Sequence, residues 1–257
     1  MDERPLAGAR AVVTGAGSGI GRAIAHRLRS MGATLALLGR DEAKLARVLG
    51  ECGGAPAGQA IACDVGDSAS VARAFGALGE PLHVLVNNAG AARSATLADT
   101  SDALWDETLR VNLTGVFLCT RAALPALLAA PFGRVVSVAS TAGLIGYPHV
   151  SAYCAAKHGV VGLTRALALE CARTQVTVNA VCPGYVDTPM TEATIAHLAE
   201  ATGRGAKEAR ALLERRNPQR RLVAPDEVAD AVAWLCLRSS HSVTGQAISV
   251  SGGEVMR

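Results

Sequence analysis

Tyr153-Cys-Ala-Ala-Lys157 is the stretch of this chain whose residue types and spacing best fit acid–base chemistry. A tyrosine and a lysine four apart on a helix share one face, which places an ammonium where it can draw the phenol's pKa down from about 10. By itself the pair also describes a half-buried ring beside a solvated ammonium. Two further features bear on the choice: Ser140, and the segment Thr14-Gly-Ala-Gly-Ser-Gly-Ile-Gly21. The glycine segment lies between a short apolar run and apolar residues at helical spacing. In that strand–turn–helix setting, backbone amides at a helix N-terminus face a pyrophosphate. Gly15, Gly19 and Gly21 are spaced G-x-x-x-G-x-G, whereas the commoner G-x-G-x-x-G would need glycine in place of Ile20. A tight turn with no ligand is the plain alternative for this loop alone.

These groups need a frame to hold them. Ala11–Val13, Thr34–Leu38, Ala60–Cys63, His83–Val86, Arg134–Ala139, Gln175–Val181 and Gln246–Val250 are the strand candidates. Their near-continuous apolarity predicts burial on both faces of a central parallel sheet. Between them, Ile20, Ile24, Leu28 and Met31 recur at helical spacing and stop at Gly32, while Asp41, Asp67 and Asp226 sit where N-caps belong. Alternating strand and helix predicts an α/β, Rossmann-like, doubly wound sheet of about seven strands with helices on both faces. Ser140 then falls at the ligand edge of the sheet. Residues 190–221, helical with no strand after them, read as a flap within one domain spanning 1–257.

Composition excludes other classes. At 257 residues, half of them apolar, the chain can bury a large core. A net charge of +3 and only 3% aromatic residues give neither the general basicity nor the stacking platforms of a nucleic-acid surface. Seven scattered cysteines without a C-x-x-C pair argue against a disulfide framework and a metal site, and read as thiols in a reducing cytoplasm. No apolar stretch follows the N-terminus, and no run approaches the roughly 18 apolar residues of a membrane span. The expected location is cytoplasmic, with small molecules as partners.

Thr14-Gly-x-x-x-Gly-x-Gly21, Asn87-Asn-Ala-Gly90, Asn112, Ser140, Tyr153-x-x-x-Lys157 and Pro183-Gly184, in this order, resemble the short-chain dehydrogenase/reductase family from about Gly8 to Gly253. The Tyr153 and Val178–Met190 segments most resemble ketoreductases acting on 3-oxoacyl chains carried by acyl carrier protein or coenzyme A, those of aromatic polyketide synthesis in particular. The resemblance implies that Tyr153 exchanges a proton with a carbonyl or alcohol oxygen and that Ser140 orients that oxygen. It implies that Lys157 holds the ribose hydroxyls and that Asn112 kinks its helix and holds a water relaying protons from Lys157. Ser18, Gly19, Ile20 and Gly21 would meet the pyrophosphate, and Asn88, Ala89 and Gly90 would pass beside the adenosine ribose. Asp64, with Val65, would meet adenine, and Pro183, Gly184, Val186 and Thr188 would line the nicotinamide. Each has a local alternative: Ser140, Asn112 and Asp64 as caps, Pro183-Gly184 as a turn.

Cofactor choice turns on Leu37-Leu38-Gly39-Arg40. An acidic residue there would bind both ribose hydroxyls, but this chain has Gly39, and the Arg40 guanidinium suits the 2′-phosphate of NADP, helped by Arg22. NADP(H) is therefore favoured, with NAD(H) open. Between Arg204 and Arg221 stand Arg204, Lys207, Arg210, Arg215, Arg216, Arg220 and Arg221 against only Glu208 and Glu214. A solvated face explains such a run; the sharper reading is a landing site for the phosphates of coenzyme A or a phosphopantetheine carrier. Its acyl group would pass Arg93, Leu144, Tyr147, Tyr185 and Met190, though the two tyrosines also suit plain packing. The expected reaction is reduction of a 3-oxoacyl thioester. NAD-linked oxidation of a 3-hydroxyacyl-CoA or of a free cyclic, polyol or steroid alcohol is the alternative, and a non-catalytic dinucleotide-binding protein the remote one. The resemblance also implies a homotetramer, or a dimer, formed through the Tyr153 helix and through Asp226–Leu237 and Gln246–Val250, with Ala231, Val232, Trp234 and Leu235 available for contact or for internal packing.

Overall fold

The β-branched and aliphatic runs pair as seven strands: β1 (Arg10–Thr14), β2 (Thr34–Gly39), β3 (Gly58–Ala62), β4 (Val84–Asn87), β5 (Gly133–Val138), β6 (Val176–Pro183) and β7 (Ala247–Val250). The structure, a computed structural model, describes residues 4–256. All pairings are parallel and the strand order is β3-β2-β1-β4-β5-β6-β7. The order reverses between β1 and β4, and the crevice beyond the C-terminal strand ends at such a reversal is where this architecture takes ligands.

Strand pleating divides the core between the faces. Along β1 and β2, Val13, Leu35 and Leu37 enter one cluster, while Val12, Ala36 and Leu38 enter the other. Each of these valines and leucines contributes about 1.5–3 kcal/mol on burial. Burial on both faces, expected of all strands, holds for the inner ones only. β3 and β7 are half-buried because they lie at the sheet edges, each with a neighbour on one side.

The layers come from α1 (Gly19–Ser30), α2 (Glu42–Glu51), α3 (Ser68–Gly76), α4 (Asp102–Leu109), α5 (Gly115–Ala129), α6 (Ser151–Glu170), α7 (Pro189–Thr202), α8 (Ala206–Glu214) and α9 (Pro225–Cys236). The Asp41 carboxylate accepts the Lys44 N–H at the start of α2, and Asp67 accepts those of Ala69 and Ser70 at the start of α3. Each cap contributes about 1 kcal/mol. Asp226 is not a cap: it lies inside α9, because Pro225, with no N–H to lose, takes the first helical position. Glu227 then reaches back to the Ala224 N–H at 2.7 Å.

A π-turn, Arg110–Thr114, joins α4 to α5. The whole helical run Asp102–Ala129, 28 residues, is long and apolar enough by length and composition to cross a membrane, contrary to the reading from uninterrupted apolar stretches. Here Leu118, Cys119, Ala123 and Leu127 are buried against the sheet. The flap segment forms α7 and α8 around a cluster of Ile195, Ala209, Leu213 and Leu222, and a parallel bridge from Val186 to Val223 closes its base. On α9, Val232 and Leu235 are consumed by the core, whereas Trp234 is 46% exposed.

Candidate active site

The turn between β1 and α1 is tight for a reason that can be read atom by atom. Gly15 and Gly19 have φ of +65° and +52°, in the left-handed region. A Cβ on Gly15 would come within 2.8 Å of Ala89 Cα, and one on Gly21 would collide with the Gly15 carbonyl. The Thr14 hydroxyl accepts the N–H groups of Asn88 (2.9 Å) and Ala89 (3.0 Å), while Asn88 Nδ2 donates to the carbonyls of Thr14 (3.0 Å) and Gly15 (3.1 Å). The loop after β1 is thus tied to the segment after β4, and together they form a cradle only glycines permit. It fits a dinucleotide's phosphates approaching the N-terminus of α1.

A cavity of about 390 Å³ runs from this cradle across the sheet edge. Gly15, Ser18, Gly19, Ile20, Gly21 and Arg40 line one end, Asn88, Ala89 and Gly90 the middle, and Ser140, Tyr153, Lys157, Pro183, Gly184, Val186 and Thr188 the other. Tyr147, Tyr185 and Met190 form its outer wall, with α7 contributing Thr191 and Thr194. The cavity therefore joins the glycine turn to the tyrosine, lysine and serine in one space.

Ser140 follows β5 by two residues and caps the short 3₁₀ turn Thr141–Gly143, its Oγ accepting the Ala142 N–H at 3.1 Å. The hydroxyl also faces the Tyr153 phenol. Tyr153 and Lys157 project from α6, with the ammonium 5.6 Å from the phenol ring centroid. Lys157 Nζ donates to the carbonyl of Val138, the last residue of β5, at 2.8 Å. Burial pushes the Lys157 ammonium down to about 8 and the Tyr153 phenol up to about 12, with Ser140 pulling the phenol back. The expectation that Lys157 draws the phenol below 10 fails among the protein's own groups, because desolvation of the ring exceeds every neighbouring charge.

Asn112 is fully buried in the π-turn, next to the cavity but not on its surface. Its Nδ2 donates to the carbonyls of Ala91 (2.8 Å) and Thr108 (2.9 Å), and its Oδ1 accepts the Ala91 N–H at 3.2 Å.

Several sequence candidates lie elsewhere. Asp64 and Val65 do not line the cavity: the Asp64 carboxylate accepts the Gly66 N–H and pairs with Arg110 at 3.1 Å, and Val65 is buried in the core. Arg110 and Gly66 hold that carboxyl below its usual range against the cost of burial. Arg93 and Leu144 are also off the lining, Arg93 on an exposed loop and Leu144 packed on a core cluster. Arg22 is not on the lining and pairs instead with Glu51 of α2 at 2.7 Å. Two residues of the basic run are paired: Arg210 contacts Asp187 and Glu192 outside the run and Glu214 within it, and Arg221 grips Glu227 with both terminal nitrogens. Arg216 lies over the Tyr147 ring at 5.0 Å.

Lys44, not among the sequence candidates, lines the cavity at its Arg40 end and sits 3.2 Å from Asp41. Its place in the first turn after the Asp41 cap was the available signal. Thr141 and Glu254 were also missed; both meet the Tyr147 hydroxyl, at 2.8 and 2.7 Å, Thr141 from six residues away in the chain and Glu254 from 107. Among the described residues no cluster of His, Cys, Asp or Glu could hold a metal.

Comparison with known proteins agrees with this geometry. A family model described as short chain dehydrogenase matches residues 9–199. A Streptomyces violaceoruber protein named as a ketoacyl reductase of the granaticin polyketide synthase is 44% identical over 250 residues, covering 95% of this chain and 92% of the relative. The D-beta-hydroxybutyrate dehydrogenase of Cupriavidus necator is 37% identical over 263 residues, covering 97% and 99%. A crystal structure of a variant actinorhodin polyketide ketoreductase with NADPH superposes with a TM-score of 0.91 at 41% identity, covering 96% of this chain and 97% of that one. With the motifs, the seven-stranded sheet and the joined cavity in agreement, the chain belongs to the short-chain dehydrogenase family and is an NAD(P)-dependent oxidoreductase.

Proposed function

We propose that the protein reduces the ketone of a 3-oxoacyl thioester to a secondary alcohol with NADPH. The observation that carries this reading is the continuity of one cavity from the glycine cradle to Ser140, Tyr153 and Lys157. When bound there, the nicotinamide supplies hydride to the carbonyl carbon.

The chain's own groups do the rest. Ser140, its oxygen engaged by the Ala142 N–H, can turn its hydroxyl hydrogen from the Tyr153 phenol to a substrate carbonyl. Tyr153, raised to about 12, keeps its proton at neutral pH and gives it to that oxygen as negative charge develops. Lys157, anchored by one N–H to Val138, has two further donors for ribose hydroxyls, from which its charge can lower the phenol as it loses its proton. Asn112 holds the Ala91 backbone, steadying the segment that leads on from Ala89 and Gly90. A proton supply through Asn112 and water toward Lys157 belongs to this proposal.

Arg40 and Lys44 at the ribose end favour NADP over NAD. Delivery on coenzyme A or an acyl carrier protein now rests on Arg204, Lys207, Arg215 and Arg220, which are exposed and form no ion pair among the described residues. For assembly we propose a homotetramer, in which Phe117, Leu169 and Trp234, exposed by 42%, 79% and 46%, gain cover.

The deciding assay follows NADPH and NADH oxidation against acetoacetyl-CoA, a simple ring ketone and a panel of secondary alcohols. NADPH-linked reduction of the thioester with the highest kcat/KM supports the proposal. NAD-linked oxidation of a free alcohol as the best reaction overturns it.

A further inference from the structure

Tyr147 and the turn after β6 meet a single carboxylate at the substrate end of the cavity, and Thr141 and Arg216 close around the tyrosine. Glu254, in the turn after β7, accepts the Tyr147 hydroxyl at 2.7 Å through Oε1. Tyr147 Oη also meets Thr141 Oγ1 at 2.8 Å, and Thr141 belongs to the 3₁₀ turn that Ser140 caps. A Cβ on Gly184 would stand 2.9 Å from Glu254 Oε2, so the carboxylate's second oxygen lies against the β6 turn that bears Tyr185. Arg216 from the flap covers the Tyr147 ring at 5.0 Å. Thr141, Tyr147, Gly184 and Tyr185 all line the cavity, so Glu254 stands directly behind its substrate wall.

Two consequences follow from ordinary electrostatics. The single Tyr147 proton goes to the carboxylate, the strongest acceptor within reach, which fixes the ring as a wall. The wall also carries a negative charge only one side chain away from the substrate. Half-buried, that charge is poorly screened, whereas Arg216, at the solvent side, is exposed and loses more of its field to water and salt. Burial pushes the Glu254 carboxyl up, while the Tyr147 hydrogen bond and the Arg216 charge hold it back; an anionic group on the substrate at this end would meet repulsion that Arg216 offsets only in part, and a neutral ester or thioester carbonyl would not.

We propose that Glu254 is a specificity-determining residue: it holds Tyr147 as the substrate wall and repels free 3-oxo acid anions, so that the enzyme takes 3-oxo groups only when the acid is masked as a neutral ester or thioester. This rests on the reductase reading above and narrows its substrate class.

The test compares methyl acetoacetate with the acetoacetate anion at equal concentrations, reading the ratio of their kcat/KM values. The wild type favours the ester at least tenfold. Glu254→Gln keeps an acceptor for the Tyr147 hydroxyl but removes the charge, and lowers the ester-to-acid ratio about tenfold, through KM for the acid. Tyr147→Phe removes the hydrogen bond and keeps the charge, so a clear preference for the ester persists. A salt series on the wild type, independent of any variant's folding, leaves the ester preference in place as ionic strength rises, because the half-buried charge is little screened; a preference that salt abolishes overturns the inference. A wild type that turns over the free acid as well as the ester overturns the inference, as does a ratio that Glu254→Gln leaves in place. Failure on ester, acid and a simple ring ketone alike overturns the reductase reading, and this inference with it; activity on the ring ketone with no ester preference overturns the Glu254 assignment alone.

Discussion

Asn112 pairs with both backbone groups of Ala91, its Nδ2 donating to the carbonyl at 2.8 Å and its Oδ1 accepting the N–H at 3.2 Å. One side chain thus gives residue 91 the pairing that a neighbouring strand would give it. The π-turn makes this possible by turning Asn112 inward while Nδ2 also takes the Thr108 carbonyl. Asn112→Ala should strip three bonds from a fully buried site and cost about 1–3 kcal/mol of stability for the groups left unpaired. Urea denaturation measures the loss. If the segment also steadies the dinucleotide cradle, NADPH affinity falls in the same variant, and an unchanged Kd would separate the two roles.

Tyr153→Phe should leave the ring packed on α6 and remove only the proton donor. We expect kcat to fall by roughly 10²- to 10⁴-fold with cofactor affinity near normal. Steady-state kinetics and a fluorescence titration of NADPH check the two halves. A variant that keeps half its kcat removes Tyr153 from the chemistry.

Arg40 and Lys44 differ in what already occupies them, since Lys44 has Asp41 at 3.2 Å. Arg40→Ala should weaken NADPH by about ten- to a hundredfold, the scale of charge-assisted bonds of 1.5–3 kcal/mol, while NADH changes little. Lys44→Ala should act in the same direction more weakly, because Asp41 competes for the ammonium. Kd values for both cofactors test this; equal losses for NADPH and NADH remove the 2′-phosphate from the argument.

The buried Lys157 makes a pH prediction with a definite sign. Its folded pKa of about 8 lies below the unfolded value of 10.5, so between these the unfolded chain binds more protons and stability rises with pH. Below pH 8 the buried charge costs a constant amount. Lys157→Met, which carries no such cost, should be the more stable protein near pH 7, and its lead should shrink by up to about 3 kcal/mol between pH 8 and 10.5. The variant-minus-wild-type difference is the quantity to measure, since Tyr153, raised to about 12, and the buried Cys119 and Cys236 thiols, raised likewise, keep their protons when folded and lower stability as pH climbs further. A difference independent of pH would falsify the assignment of a depressed pKa.

Local pattern alone determined the seven strands, the α1 face of Ile20, Ile24 and Leu28, the Asp41 and Asp67 caps, and the glycine turn, because each depends on periodicity or backbone freedom within a few residues. The pairing of Tyr153 with Lys157 was equally legible, as residues four apart on a helix share a face wherever the helix lies. Tertiary structure decided the rest. Whether Arg210 and Arg221 faced solvent or carboxylates depended on Asp187, Glu192 and Glu227, which the charge run itself does not contain. Asp226 gave way to Pro225 and Glu227 at the start of α9, and Asp64 to Arg110, in each case through a neighbour outside the motif. The sign of the Tyr153 shift followed burial, a property of the assembled cavity that no spacing of Tyr and Lys encodes. Glu254 met Tyr147 only because β7 returns beside β6, bringing together two side chains 107 residues apart.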